Sequence, residues 1–206
     1  MKKSLARQWK ESGIVKDNRL LKAFESVPRE NFIHEELVGD AYADHPLPIG
    51  YGQTISQPTT IMIMIEAMEL KKTDKVLEIG AGSGYNAALM SRLCKKVYTV
   101  EIVPELVHFA RENLKKLKIG NVEVIGGDGS IGWKENAPYD KIMVTAGCPT
   151  MPKPLVDQLK EGGTIIAPVG GRWEQEMIKA KKVKGKLKQE HLGYFVFVPL
   201  IGRHGH

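Results

Sequence analysis

The run Val76-Leu77-Glu78-Ile79-Gly80-Ala81-Gly82-Ser83-Gly84 opens as a strand and closes as a glycine turn. Val76, Leu77 and Ile79 are apolar and suit a strand covered on both faces of a parallel sheet. Tyr85 to Leu93 then reads as a helix, with good helix formers and an apolar face at Ala88, Leu89 and Leu93. Strand, tight turn and helix together let a nucleotide-like ligand lie against the backbone at the positive end of a helix.

Two ligands compete for this turn. Gly82-x-Gly84-x-x-Ala87 satisfies the dinucleotide fingerprint, so the glycines alone leave NAD open. Glu78, two residues before the first glycine, points elsewhere. A carboxylate there suits an ammonium or sulfonium charge and would repel a pyrophosphate. The spacing Glu78-x-Gly80-x-Gly82-x-Gly84 also resembles the first motif of methyltransferases that use S-adenosyl-L-methionine.

Composition bounds the rest. The 206 residues, 42% of them hydrophobic, suffice for one domain with a sizeable core. A net charge of +6 is a mild excess and does not by itself argue for nucleic acid. Cys94 and Cys148 give no disulfide framework. The charged N-terminus lacks the apolar region of a signal peptide, and the apolar run Ile61 to Ile65 is far short of a membrane span. A cytoplasmic monomer without membrane or nucleic-acid partners is the expectation. The core motifs hold no metal-ligating cluster, so no metal is expected.

The N-terminal part reads as two short helices around Ser12-Gly13, with an apolar stripe at Leu20, Leu21 and Phe24. Val27 to Phe32 breaks and restarts the chain at Pro28. Asp44 to Gln53 reads as a loop by its proline and glycine content. Ile61 to Met68 reads as a buried helix, with Ser56 as its N-cap and Pro58 as an early helical residue. The methionines there are core filling. A nucleophilic role for Ser56 is disfavoured, because no positioned base or G-x-S-x-G elbow accompanies it.

The segment Leu47-Pro-Ile-Gly-Tyr-Gly-Gln-Thr-Ile-Ser-Gln-Pro58 resembles the loop ahead of the catalytic core in protein-L-isoaspartate O-methyltransferases. The resemblance continues through the glycine turn and a Leu159-Lys-Glu-Gly-Gly163 segment that runs on to Pro168-Val169-Gly170, and so spans most of the chain. It implies an α/β fold: a doubly wound, mostly parallel sheet of the class I methyltransferase (Rossmann-like) type. N-terminal helices and a C-terminal β tail would be added to it. One domain over 1–206 would comprise helices and substrate loop (1–60), cofactor core (61–170) and β extension (171–206).

Further along, Lys96 to Glu101 reads as the second strand and ends in an acid about 20 residues past the glycine turn, a place suited to ribose hydroxyls. Pro104 to Leu117 reads as a strong helix stopped by Gly120. Asn121 to Gly129 is a third strand with its loop. Asp128 matches the acid that meets the adenine amino group in methyltransferases of this fold, although Asp-Gly is also a common turn pair. Tyr139 to Ala146 is the fourth strand. Cys148, beyond it, reads as an inert thiol. Pro154 to Lys160 reads as a short helix and Glu161 to Gly170 as a turn and fifth strand. Residues Gln175 to Leu200 read as paired strands, with Lys181 to Lys188 a solvated hairpin bent at Gly185 and Tyr194 to Leu200 closing the sheet.

The resemblance also implies a reaction and a site. The methyl group of S-adenosyl-L-methionine would pass to the free α-carboxylate of an L-isoaspartyl residue, leaving S-adenosyl-L-homocysteine. Ser56 would orient that carboxylate, with Ile55 and Val169 holding the peptide. Thr54, Ile55, Glu78, Gly80, Gly82, Ser83, Gly84, Glu101, Ile102, Asp128 and Gly129 would hold the cofactor. Three rivals are a nucleic-acid methyltransferase, a non-catalytic binding module and an NAD oxidoreductase. Against the first, Thr145-Ala-Gly-Cys-Pro149 stands where adenine-N6 enzymes carry Asn/Asp-Pro-Pro-Tyr. Against the second, the Gln53 to Pro58 loop is intact.

Overall fold

The structure is a computed structural model that describes residues 1–206. Helices α1 (Lys2–Glu11) and α2 (Asn18–Ser26) come first, followed by 3-10 turns at Arg29–Phe32 and Glu35–Asp40. A small hairpin of β1 (Leu47–Gly50) and β2 (Gln53–Ile55) leads into helix α3 (Pro58–Met68). The core then runs β3 (Lys75–Ile79), α4 (Tyr85–Ser91), β4 (Lys96–Glu101), α5 (Pro104–Lys116), β5 (Val122–Gly126) and β6 (Tyr139–Val144). Helix α6 (Lys153–Gln158) and strands β7 (Leu159–Gly170), β8 (Gln175–Val183) and β9 (Lys186–Phe195) complete the chain.

Seven strands form one sheet in the order β5-β4-β3-β6-β7-β8-β9. β5 through β7 are parallel, and β8 and β9 add antiparallel at one edge. The chain works outward from β3 to β5, then returns to the other side of β3 with β6. That reversal opens a crevice beyond the carboxyl ends of β3 and β6, where α/β sheets bind ligands.

Alternation along the strands makes two apolar cores. Val76, Val97, Met143 and Ile166 face a layer that includes Trp9, Phe24, Phe32, Met64, Leu89 and Leu106, contributed by helices α1 to α5 and the first 3-10 turn. Leu77, Val100, Ile142 and Ile165 face the other way, onto Leu155 of α6, Tyr139 and Leu200. The two faces are therefore covered unequally: five helices on one, a six-residue helix and coil on the other. Central strands buried on both sides are what the near-continuous apolar runs require.

Local chemistry departs from the sequence reading in a few places. The Asp44 to Gln53 stretch is not all loop, because its Leu47–Gly50 half pairs with β2. Tyr51, at φ 55, and Gly52, at φ 70, make the bend, so two left-handed residues turn a Pro/Gly-rich segment into a hairpin. The N-cap of α3 is Gln57, not Ser56, and no side chain caps that end; Pro58 does occupy the first turn. Helix α5 stops at Lys118, which takes φ 53, ahead of Gly120. β9 ends at Phe195, and residues 196–201 leave the sheet instead of closing it. The Lys-rich hairpin turns at Lys184-Gly185, both at positive φ, with the Glu161 carboxylate accepting from both backbone amides.

Candidate functional site

Carboxyl ends of β3, β4 and β6 open into a cleft. Its floor is the first part of the glycine turn, Gly80 and Gly82; these and Gly84 behind them have φ of 93°, 51° and 87°, a region that only glycine enters freely. Gly80 is also sterically required. A Cβ there would lie 2.4 Å from Thr145 Oγ1, and that hydroxyl already bonds the carbonyls of Ile79 and Gly80, each at 2.9 Å. Gly80→Ala is expected to lower stability by roughly 1–2 kcal/mol, a fall in Tm of about 3–6 °C in a thermal melt. An unchanged melt would show that the turn yields more easily than this packing implies.

Glu101 ends β4 beside that turn, 6% exposed. Its Oε2 accepts from Gly82 N at 2.8 Å, and its Oε1 from Ile102 N at 2.9 Å and Val103 N at 3.0 Å. A carboxylate offers about four acceptor positions. Three are taken by backbone amides, which fix its orientation, and the group still lines the cleft. A hydroxyl-bearing ligand would meet a pre-aimed acceptor. The β1–β2 hairpin supplies the opposite wall through Gln53, Thr54, Ile55 and Ser56. Ser56 is half-buried, and its carbonyl accepts from Arg29 Nη2 at 2.9 Å.

Of the residues singled out in the sequence, Thr54, Ile55, Ser56, Gly80, Gly82, Ser83, Glu101, Ile102 and Gly129 share the cleft wall. Gly84, Glu78, Asp128 and Val169 do not lie on it. Gly84 is the N-cap of α4, packed against Ala110. Val169 sits in β7, bridged to Cys148.

Glu78 differs from the expectation most. It is fully buried, and its carboxylate accepts from Thr99 Oγ1 at 2.6 Å within the sheet. Burial, helped by the charge of Glu101, pushes its pKa up to about 8 against the hydrogen bonds of Thr99 and Asn86. In the ligand-free protein the native state therefore keeps a proton that the unfolded chain releases near the usual carboxyl range. Stability falls as pH rises through that window toward about 8. Glu78→Gln removes this slope. Urea titrations at pH 5 and pH 8 are expected to show a wild-type loss on the order of 3 kcal/mol that the variant lacks. Equal slopes for the two proteins would mean that Glu78 is ionised in the fold.

Asp128 is engaged by the C-terminal segment. Oδ1 accepts from Ser130 N at 2.8 Å and Oδ2 from Arg203 N at 2.9 Å. Burial opposes its charge, but these bonds outweigh it and hold the carboxyl below its ordinary range. The same segment supplies cleft residues that the sequence reading missed: Val198, Pro199, Leu200 and Ile201. Gly147 anchors them, donating to Val198 O at 2.8 Å and accepting from Leu200 N at 2.7 Å. Ala81, Tyr85, Asn86, Val100, Thr145 and Ala146 line the cleft as well. Thr145 was findable, since it follows the fourth strand at the active edge. The tail was not, because nothing local says that residues 196–201 leave the sheet. Cys148 is buried, its thiol pushed up to about 12 by burial, as an inert cysteine should be.

Comparison with known proteins agrees with this geometry. The family model "Protein-L-isoaspartate(D-aspartate) O-methyltransferase (PCMT)" matches residues 1–205. Among similar curated proteins, the protein-L-isoaspartate O-methyltransferase of Methanoculleus marisnigri is 48% identical over 93% of this chain and 87% of its own. That of Pyrococcus horikoshii is 46% identical over 98% of this chain and 97% of its own. A solved structure of a Plasmodium falciparum protein, described as an isoaspartate methyltransferase in complex with S-adenosyl-L-homocysteine, superposes with a TM-score of 0.85. It is 29% identical and covers 97% of this chain and 98% of its own. With a match that runs nearly end to end, this chain belongs to the protein-L-isoaspartate O-methyltransferase family.

Proposed function

We infer that this chain methylates the free α-carboxylate of L-isoaspartyl residues in damaged proteins and peptides, using S-adenosyl-L-methionine. The observation that carries the reading is a single cleft walled by the glycine turn and Glu101 on one side and by Gln53 to Ser56 on the other. The residues present fit the cofactor: a pre-aimed carboxylate for hydroxyls, a glycine floor that admits close approach, and apolar walls at Ile79, Val100 and Leu200. Bound there, S-adenosylmethionine would supply an already activated sulfonium methyl.

What the chain itself must do is modest. A carboxylate with a pKa near about 4 is ionised at neutral pH and needs no general base. The protein has to hold the carboxylate oxygen in line and exclude water. Ser56 is the residue assigned to that orientation, with Ile55 and Val169 as backbone partners of an extended substrate strand. Val169 stands off the cleft wall, at the carboxyl end of β7, and is assigned to the peptide and not to the cofactor. Thr54, Ile55, Gly80, Gly82, Ser83, Glu101, Ile102 and Gly129 are assigned to the cofactor. Gly84 supports the turn, and Glu78 lies beneath it as a buried acid that a ligand's positive charge would favour in ionised form. Asp128 is assigned to positioning Gly129 and the C-terminal segment. The methyl ester then favours closure to a succinimide, whose hydrolysis returns part of the residue as normal aspartate. Both cysteines are free and buried, which supports a reducing, cytoplasmic setting.

The test is methyl transfer from tritiated S-adenosylmethionine to an isoaspartyl peptide and to its aspartyl twin. Base-labile label is expected in the first alone. Equal labelling of both, or of neither, would overturn the reading.

A further inference from the structure

Arg29 is a fully buried arginine, 0% exposed, in the 3-10 turn that precedes the substrate hairpin. One nitrogen, Nη2, donates to the Ser56 carbonyl, and the guanidinium lies 5.2 Å from the Tyr85 ring centroid. Its Nε and Nη1 are buried without a protein partner. It takes part in no ion pair. The acids of this region are engaged elsewhere: Glu30 accepts from Tyr42 OH at 2.5 Å, and Asp44 accepts from Thr59 N at 2.9 Å and Thr59 Oγ1 at 2.7 Å. Burial lowers the pKa of Arg29 only to about 10, so the group is charged at neutral pH. A buried cation with no acid in contact, and only the more distant charge of Asp44 to offset it, is a stability burden that packing alone gives no reason to keep.

We propose that Arg29 is a positioning residue for the substrate: a fixed cation behind the Ser56 loop that attracts the isoaspartyl α-carboxylate and strengthens binding without speeding the transfer. The proposal rests on the placement of that carboxylate at Ser56. The direction of the effect follows from charge bookkeeping. An anionic carboxylate and a cationic sulfonium become a neutral ester and a neutral thioether, so negative charge on the substrate fades toward the transition state. A cation beside it therefore stabilises the bound ground state at least as much as the transition state. Its loss appears in KM and spares kcat. The same cation also discriminates: an α-carboxamide of identical shape gains nothing from it.

The experiment compares wild type, Arg29→Met, Arg29→Lys and Ser56→Ala on an isoaspartyl peptide, with the matching α-carboxamide peptide as competitive inhibitor. Arg29→Met is expected to raise KM about tenfold, with kcat and the inhibition constant of the carboxamide within about twofold. S-adenosylhomocysteine affinity by calorimetry is expected to stay at the wild-type value, and Tm to hold or rise, as for burial of a methionine in place of an unpaired charge. Arg29→Lys restores the charge and is expected to bring KM within about threefold of wild type. The proposal is overturned if Arg29→Met keeps the wild-type KM, if carboxamide and substrate weaken together, or if the variant fails to fold. Should Ser56→Ala match wild type, the placement of the carboxylate is wrong. Should Ser56→Ala be impaired while Arg29→Met is not, only the role of Arg29 is wrong.

Discussion

Glu101→Ala is expected to weaken S-adenosylmethionine binding by about 2–4 kcal/mol, roughly thirty- to several-hundredfold. The substitution removes more than one ligand contact. The carboxylate accepts from the amides of Gly82, Ile102 and Val103, so it ties the glycine turn of β3 to the start of α5. Without it, the Gly82 amide loses its partner beside the cleft, and the turn loses the acceptor that sets its shape. Hydrogen bonds to a charged group are worth about 1.5–3 kcal/mol each, and part of that is recovered by water in an open cleft. Some stability goes too, on the order of 1–2 kcal/mol. Glu101→Gln keeps one acceptor oxygen and should fall between. Calorimetry with S-adenosylhomocysteine beside a thermal melt checks both effects. Wild-type affinity in a folded Glu101→Ala protein would remove Glu101 from the cofactor site.

Ser56→Ala is expected to lower methyl transfer ten- to hundredfold while leaving cofactor affinity nearly intact. The lost bond goes to a carboxylate, so about 1.5–3 kcal/mol is at stake. The structure sharpens this expectation. Had Ser56 capped α3, the variant would also lose roughly 0.5–2 kcal/mol of stability. The cap is Gln57 without a side-chain bond, so the melt should stay within about 0.5 kcal/mol of wild type. Ser56→Thr keeps the hydroxyl but adds a methyl in a tight wall and should be intermediate. Ser56→Cys should also lose activity, because a thiol is a weak donor for orientation. No methylated or acylated Ser56 should be trapped, since the methyl passes directly to substrate oxygen. Wild-type kinetics in Ser56→Ala would leave the substrate carboxylate without an assigned partner.

The parallel core was legible in the chain because its signals are local. Val76-Leu77 with Ile79, and Ile142-Met143-Val144, are the apolar stretches that strands buried on both faces need. Glycines at Gly80, Gly82 and Gly84 mark positive φ, and Glu101 follows at the right distance along the chain. Pro104 and Lys115-Lys116 bracket α5 by propensity and dipole. Motif and spacing were enough to put Ser56, Glu101 and the turn into one cleft.

Tertiary structure decided what lies between. Glu78 reads as a ligand contact because the sequence counts positions from a glycine. Only the pairing of β3 with β4 brings Thr99 to its carboxyl and seals it in the sheet. Asp128 reads as an adenine contact. One oxygen makes a local bond with Ser130 N, and only the crossing of the C-terminal segment gives the other to Arg203. That segment lines the cleft because Gly147 bonds Val198 and Leu200, a contact between residues about 50 apart that leaves no periodic mark. Arg29 carries no motif signal at all. Its burial, its bond to Ser56 and its lack of an ion-pair partner exist only once the 3-10 turn at Arg29–Phe32 meets the end of the hairpin. Local sequence determines backbone state and strand burial, which depend on near neighbours. Which polar atoms face a ligand depends on which distant partners have already claimed them.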